Sequence, residues 1–302
     1  MAYRFKRSQT VPQNVKRIAR EEIGSAIEYL RGKGRLNGDD SIHEVRKNIK
    51  KARALLRLVR PEMGDLYAKQ NVQLRDAGRK LSDLRDAGAL IGVLDTLRKG
   101  SRSKPAEQEL ASVRRLLNRQ KRKLEEEART RKTVPAVRGE MVQAHKSIRR
   151  WPLDSDGFSA IEAGLTRTFR DGRKALAQAR KSGSREDFHE WRKRVKDLWY
   201  QVRLLKKLWG DVMEGYERSL KELEDALGED LNLAILEERV HSMSPGNGAG
   251  RNAASVTKAI DSSREELRKR ALEVGQRVYA AKPREFTRQI RRLWKVWRRD
   301  SQ

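Results

Sequence analysis

Cysteine is absent from these 302 residues. That removes disulfide frameworks, thiolate metal ligands and cysteine nucleophiles together, and it fits a reducing cytoplasm, the location expected here. No run approaches the roughly 18 apolar residues that a bilayer crossing needs. The opening stretch, MAYRFKRSQTVPQNVKR, has no apolar core that could act as a secretory signal. Apolar residues make up 37% of the chain, too little for a thick β-sandwich core but enough for one buried stripe per helix. Only seven prolines occur, and they sit at the edges of otherwise uninterrupted helical patterns.

What the chain has in excess is positive charge: 70 Lys and Arg against 42 Asp and Glu, a net +28. Such a surface repels itself and attracts polyanions such as nucleic acid, anionic membrane or polymeric phosphate. With no spanning segment, a membrane is not expected as partner. The Ala, Leu, Arg, Lys and Glu pattern reads as all-α. Helices are expected over about 12–31, 41–60, 62–99, 105–132, 136–150, 157–181, 187–209, 211–242, 252–281 and 283–298. The segment Arg150-Trp-Pro-Leu-Asp-Ser-Asp-Gly157 breaks the chain near its middle, into 1–150 and 151–302. Each half has the size of a small domain of about 150 residues.

The halves repeat one another. Ser41-Ile-His-Glu-Val-Arg-Lys-Asn-Ile-Lys-Lys-Ala-Arg returns as Asp187-Phe-His-Glu-Trp-Arg-Lys-Arg-Val-Lys-Asp-Leu-Trp, with His43 and His189 146 positions apart. At that same offset Leu81 aligns with Leu227 and Asp86 with Asn232. Ser41 with Glu44 and Asp187 with Glu190 have capping-box spacing, which predicts that both helices begin there and gives the glutamates a structural job. Ile42, Val45, Ile49, Ala52, Leu56 and Val59 then form an apolar stripe, as do Phe188, Trp191, Val195, Leu198, Val202 and Leu205.

One residue on, about 100° round the helix, the lists become His43, Arg46, Lys50, Arg53, Arg57, Arg60 and His189, Arg192, Lys196, Trp199, Arg203, Lys206. These ridges contain no acid of their own. Stacked cations repel by a few tenths of a kcal/mol per pair, roughly, and keeping that cost twice points to an anion that relieves it. On the expected boundaries both histidines lie in the first helical turn, where free amides and the dipole favour anions. Their protonation would couple to anion binding, tightening it as pH falls. Arg167, Arg170, Arg173 and Lys174, with Lys16 and Arg20, could wall the same face. Trp294 and Trp297 among C-terminal arginines could stack on bases, although docking onto the bundle suits them better. His145 and His241 are assigned nothing.

These motifs resemble the CHAD family, the conserved histidine α-helical domain. The likeness rests on His43-x-x-Arg46-x-x-x-Lys50-Lys51-x-Arg53 and His189-x-x-Arg192-Lys193-x-x-Lys196-x-x-x-Tyr200. Leu84-Arg85-Asp86, Leu227-Gly228-Glu229 with Asn232, Gly164 to Lys174 and Lys282 to Phe286 support it. The resemblance implies two antiparallel four-helix bundles related by a pseudo-twofold, one CHAD domain in all, with a basic groove or pore between them. It implies inorganic polyphosphate as ligand and, in some members, residence at polyphosphate granules. The contacts it implies are His43, Arg46, Lys50, Lys51, Arg53, His189, Arg192, Lys193 and Lys196. The ridges and their walls add Arg57, Arg203, Arg170 and Arg173. Trp199 and Asp197 depart from the family pattern, so weaker binding is expected along the second ridge. With about 40 residues before His43 and no Glu-x-Glu-x-Lys, a free-standing CHAD protein is expected.

Polyphosphate offers repeated charge and no base to read, which suits ridges of Lys and Arg with one aromatic residue among them. A sequence-nonspecific nucleic-acid binder is the alternative. A metal-dependent phosphoanhydride enzyme is a further one: it would need carboxylate-held Mg²⁺ or a phosphate loop, and Glu229 and Asp230 are the acids to test for it. No catalytic residue, cofactor or metal is expected.

Overall fold

In a computed structural model, the described residues are 3–32, 38–82, 88, 90–95, 104–242 and 250–299. Leu84, Arg85 and Asp86 fall outside them. The chain belongs to the all-α class, and among the described residues no strand occurs. The helices are α1 (Val11–Leu30), α2 (Gly38–Leu58), α3 (Arg60–Met63), α4 (Asp65–Lys80), α5 (Lys104–Thr130), α6 (Thr133–Ser147), α7 (Ser159–Ser182), α8 (Arg185–Leu204), α9 (Gly210–Ser242), α10 (Gly250–Val278) and α11 (Pro283–Arg299). Short 3₁₀ turns follow α6 (Ile148–Arg150) and α8 (Lys206–Leu208).

Local chemistry sets the ends. Thr10 and Gln13 form a capping box before α1. Gly183 takes the left-handed conformation (φ 63°) that ends α7 after Ser182, its amide donating to the Ala179 carbonyl, and Ser184 caps α8 by accepting from the Asp187 amide. The expected cap at Asp187 is therefore corrected, because Ser184 stands three residues earlier and does the work. Likewise α2 starts at Gly38, three residues before Ser41. Glu190 pairs with Lys193 and Arg194 instead of closing a capping box. The helix expected over 62–99 breaks at Gly64, whose φ is 49°.

Both apolar stripes face inward: Val45, Leu56, Val59, Trp191, Val195 and Leu198 are fully buried. In the first half α1 packs on α2, α2 on α4, α4 on α6, and α6 back on α1. In the second, α7 packs on α8, α8 on α9 and α9 on α10, while α11 lies along α7. One continuous core runs through both halves, from Tyr3 to Trp297. The halves join where α2 meets α7 and α8. A Cβ at Gly164 would sit 1.9 Å from the Leu58 carbonyl oxygen, so only glycine lets α7 cross the end of α2 this closely. A smaller second core unites Leu90, Leu94, Leu110 and Val113 with Leu233, Leu236 and Ile260. Trp294 and Trp297 are 4% and 7% exposed; Trp294 packs against Phe5 and Phe158, and Trp297 packs against Trp294. The C-terminal tryptophans thus build the core and offer no ring face to a nucleobase.

Candidate anion-binding site

The α2–α8 crossing brings the middles of the two ridges together. Lys50 on α2 lies in the field of Arg46 on its own helix, Lys196 and Arg192 on α8, and Glu224 on α9. Burial first, then those three cations, lower its pKa to about 7. Among the described residues Lys50 makes no ion pair. Lys196 is lowered too, by burial and then by Arg192, against the pull of Glu224.

The duplication places equivalent neighbours around Arg46 and Arg192. Arg46 Nη1 donates to the Gly78 carbonyl (2.9 Å) and to Ser82 Oγ (2.6 Å) on and just beyond α4. The residues 146 positions later are Glu224 and Gly228. Arg192 Nη2 donates to Glu224 Oε1 (2.8 Å) and lies so close to Gly228 that a Cβ there would meet it at 3.1 Å. Lys196 Nζ is 2.6 Å from the same carboxylate, which is 7% exposed. Burial alone would raise the Glu224 pKa, but Lys196 and Arg192 outweigh it and hold the group below the usual carboxylate range. One carboxylate therefore serves both Arg192 and Lys196, and a glycine, Gly78, stands at its place beside Arg46.

This corrects the picture of ridges without acids. No acid lies on the ridges themselves, but neighbouring helices supply several. Lys51 pairs with Glu22 of α1 (2.9 Å) beneath the ring of Tyr3, whose hydroxyl donates to the Lys51 carbonyl. Arg203 pairs with Glu217 (3.3 Å) and stacks on Trp199 and Tyr3. Arg57 reaches across the halves to Asp197 (3.0 Å), so the residue that interrupts the second motif ties the two repeats together. Arg53 donates to Asn71. The ridge cations repel less than a single helix implies, and the charge left short of partners is concentrated in the Arg46–Lys50–Arg192–Lys196 cluster.

Other candidates lie around it. His189 sits in the second turn of α8, and its pKa is lowered to about 4 by burial, then by Lys193 and Arg192. Its Nδ1 and the Nε of Arg192 are buried without hydrogen-bond partners. His43, also in a second turn, is exposed. Lys193 is exposed and pairs with Glu190. Arg173 turns away, donating to the Ala281 carbonyl, and Arg170 lines a separate cleft with α11. Asp230 is held by Arg264 and Arg268 (3.2 and 2.9 Å), and Glu229 is exposed. Glu224 carries no motif of its own in the sequence. Reading it against Gly78 at the repeat offset would have marked it as an asymmetry between the halves.

The pattern that defines the CHAD domain matches residues 22–241, well over half of the chain. The chain belongs to the CHAD family. The crystal structure of the CHAD domain from the plant Ricinus communis is similar over 88% of this chain and 92% of that one, with a TM-score of 0.56 and 14% identity. That likeness is one of fold. No curated protein matches this sequence. The CHAD match covers both histidine motifs and ends within α9, so α10 and α11 lie beyond it. No helix among the described residues is long and apolar enough to cross a membrane.

Proposed function

We propose that this CHAD protein binds inorganic polyphosphate where Arg46, Lys50, Arg192 and Lys196 converge, and that it acts as a binding protein without catalysis. Residence at polyphosphate granules would follow from that binding. The observation that carries the reading is the convergence at the α2–α8 crossing of Arg46, Arg192 and Lys196 on Lys50, which makes no ion pair among the described residues; burial and these cations lower its pKa to about 7. A site that presses a lysine this far stabilises any multiply charged anion that replaces the missing counter-charge. Burial of Trp294 and Trp297 favours a phosphate polymer over single-stranded nucleic acid, whose bases need exposed rings.

Labelled long-chain polyphosphate, titrated at about 150 mM salt with duplex and single-stranded DNA as competitors, tests this. The slope against salt should be steep, because each neutralised phosphate releases counterions. Arg46→Ala/Lys50→Ala should cut affinity about a hundredfold or more, since two charge-assisted contacts are lost and each contributes roughly 1.5–3 kcal/mol. DNA displacing polyphosphate at equal phosphate concentration, or an unchanged double variant, would refute the reading.

Binding should also tighten from pH 8 to pH 6. A phosphate chain raises the Lys50 pKa, so binding takes up a proton that is free above about 7 and already held below it. The groups facing Lys50 are Arg46, Arg192, Lys196 and Glu224; of these Lys196 is lowered as well, by burial and then by Arg192. His189, lowered to about 4, is neutral throughout that pH range. Lys50→Arg should therefore keep the affinity and flatten the pH dependence. A slope that survives the substitution would move the titration to another group.

A further inference from the structure

A second basic feature stands apart from the crossing. Between the start of α4, the outer face of α7 and the length of α11 lies an open cleft of about 990 Å³. Six arginines line it (Arg60, Arg167, Arg170, Arg284, Arg288 and Arg291) against two carboxylates, Asp65 and Glu162. They come from three segments distant in sequence, so no single charged helix face accounts for them. Arg60 is laid over the Tyr67 ring at 4.7 Å, Arg291 pairs with Glu162, and Arg167 and Arg170 lie 3.8 and 3.6 Å from Asp171. Arg284 and Arg288 are exposed and make no ion pair among the described residues. Thr166 and Ser159 place hydroxyl groups on the same wall.

Three features separate this cleft from the ridge cluster. The adjoining cavity, which shares Arg60, Tyr67 and Arg167 with it, measures only 50 Å³ and is lined by the Arg57–Asp197 pair. Arg284, Arg288 and Arg291 lie beyond residue 241, where the CHAD match ends. The duplication carries the lining only in part: Arg138 and Lys206 stand at the positions equivalent to Arg284 and Arg60, but Glu21, Gly24, Val142 and His145 occupy those equivalent to Arg167, Arg170, Arg288 and Arg291.

We infer that this cleft is a second anion site, selective for a run of adjacent phosphates. Guanidinium forks hold phosphate oxygens in pairs, and a lining of arginine without lysine fixes that geometry at constant charge. The phosphates come either as a free short chain or as a segment of the polymer held at the ridges. The inference goes beyond the proposed function and does not depend on it.

Calorimetric titration with inorganic tripolyphosphate, in two buffers of different ionisation enthalpy near pH 7.5, tests the site. The wild type should take up two equivalents. Arg284→Ala/Arg288→Ala should lose one, and its remaining heat should depend on the buffer, since Lys50 takes up a proton. Arg46→Ala/Lys50→Ala should keep one, with a different buffer dependence, because the Lys50 proton uptake is gone and only the ligand's own protons are exchanged. A melting curve on each variant establishes that it is folded. Unchanged stoichiometry in Arg284→Ala/Arg288→Ala would overturn the inference, as would loss of all binding in Arg46→Ala/Lys50→Ala. Two equivalents persisting in Arg46→Ala/Lys50→Ala would sink the ridge reading and leave the cleft standing. With long-chain polyphosphate, weaker binding by the arginine variant identifies a segment of the same polymer, and unchanged binding identifies a free short chain; either supports the site.

Discussion

Lys50→Met is expected to melt several degrees above the wild type at pH 6 in phosphate-free, low-salt buffer, while binding polyphosphate more weakly. In the folded protein the Lys50 pKa is about 7, against an ordinary value of 10.5. Between those values the unfolded chain binds more protons than the folded one, so stability rises with pH across that window. The penalty is complete below pH 7, fades as pH rises and is gone above about 10.5. Its size is of the order of a few kcal/mol, which for a chain of this length corresponds to roughly 5–10 °C. Methionine fills a similar volume and brings no charge to Arg46, Lys196 or Arg192. The gain should be largest at pH 6, shrink by pH 10 and diminish with added salt. Differential scanning fluorimetry over that range measures it. A melting temperature at pH 6 below that of the wild type would mean that the ammonium group stabilises the fold and that the cluster is not under electrostatic strain.

The reverse holds one turn of chemistry away. Arg192→Ala/Lys196→Ala is expected to cost about 3–5 kcal/mol at pH 7, the usual consequence of leaving a buried charge uncompensated. Glu224 is 7% exposed, and its two close partners are the residues removed; Lys221 remains, at 3.9 Å. The wild-type carboxylate is held below its usual range, so its contribution is present above the unfolded carboxylate value of about 4.5 and is lost as pH falls through the folded one. The deficit of the double variant should accordingly shrink near pH 4, where Glu224 takes up a proton and needs no cation. Adding Glu224→Gln should restore most of the stability at pH 7 without restoring polyphosphate affinity. Urea melts at pH 7 and pH 4 decide it. If the triple variant stays as unstable as the double, the loss comes from the packed stems of Arg192 and Lys196 and not from the stranded carboxylate.

Lys50 and Glu224 also mark where reading the chain in one dimension stops. The stripes Ile42–Val59 and Phe188–Leu205 were legible, because burial of one helical face imposes a period that survives in the residue order. The 146-residue register shows as direct repetition of residues between the halves, and most helix ends follow from local signals. The caps at Ser41 and Asp187 did not, because Ser184 and the earlier start at Gly38 compete for the same amides. The acids around the ridges escaped for another reason. Glu22, Glu217 and Glu224 come from α1 and α9, and an ion pair across packed helices leaves no spacing rule behind.

By itself the amino-acid order determined an all-α, duplicated, strongly cationic chain whose halves each set a basic edge beside an apolar one. Those properties depend on residues a few positions apart, and helical geometry converts such spacing directly into faces. Folding in three dimensions decided which cations stay short of counter-charge. Arg57 found Asp197 and Lys51 found Glu22, while Lys50 met Lys196 across the α2–α8 crossing and Arg284 and Arg288 came to face Arg60 over an open cleft. Coulomb energy depends on separation through space and on the surrounding dielectric, and both come into being when the helices pack.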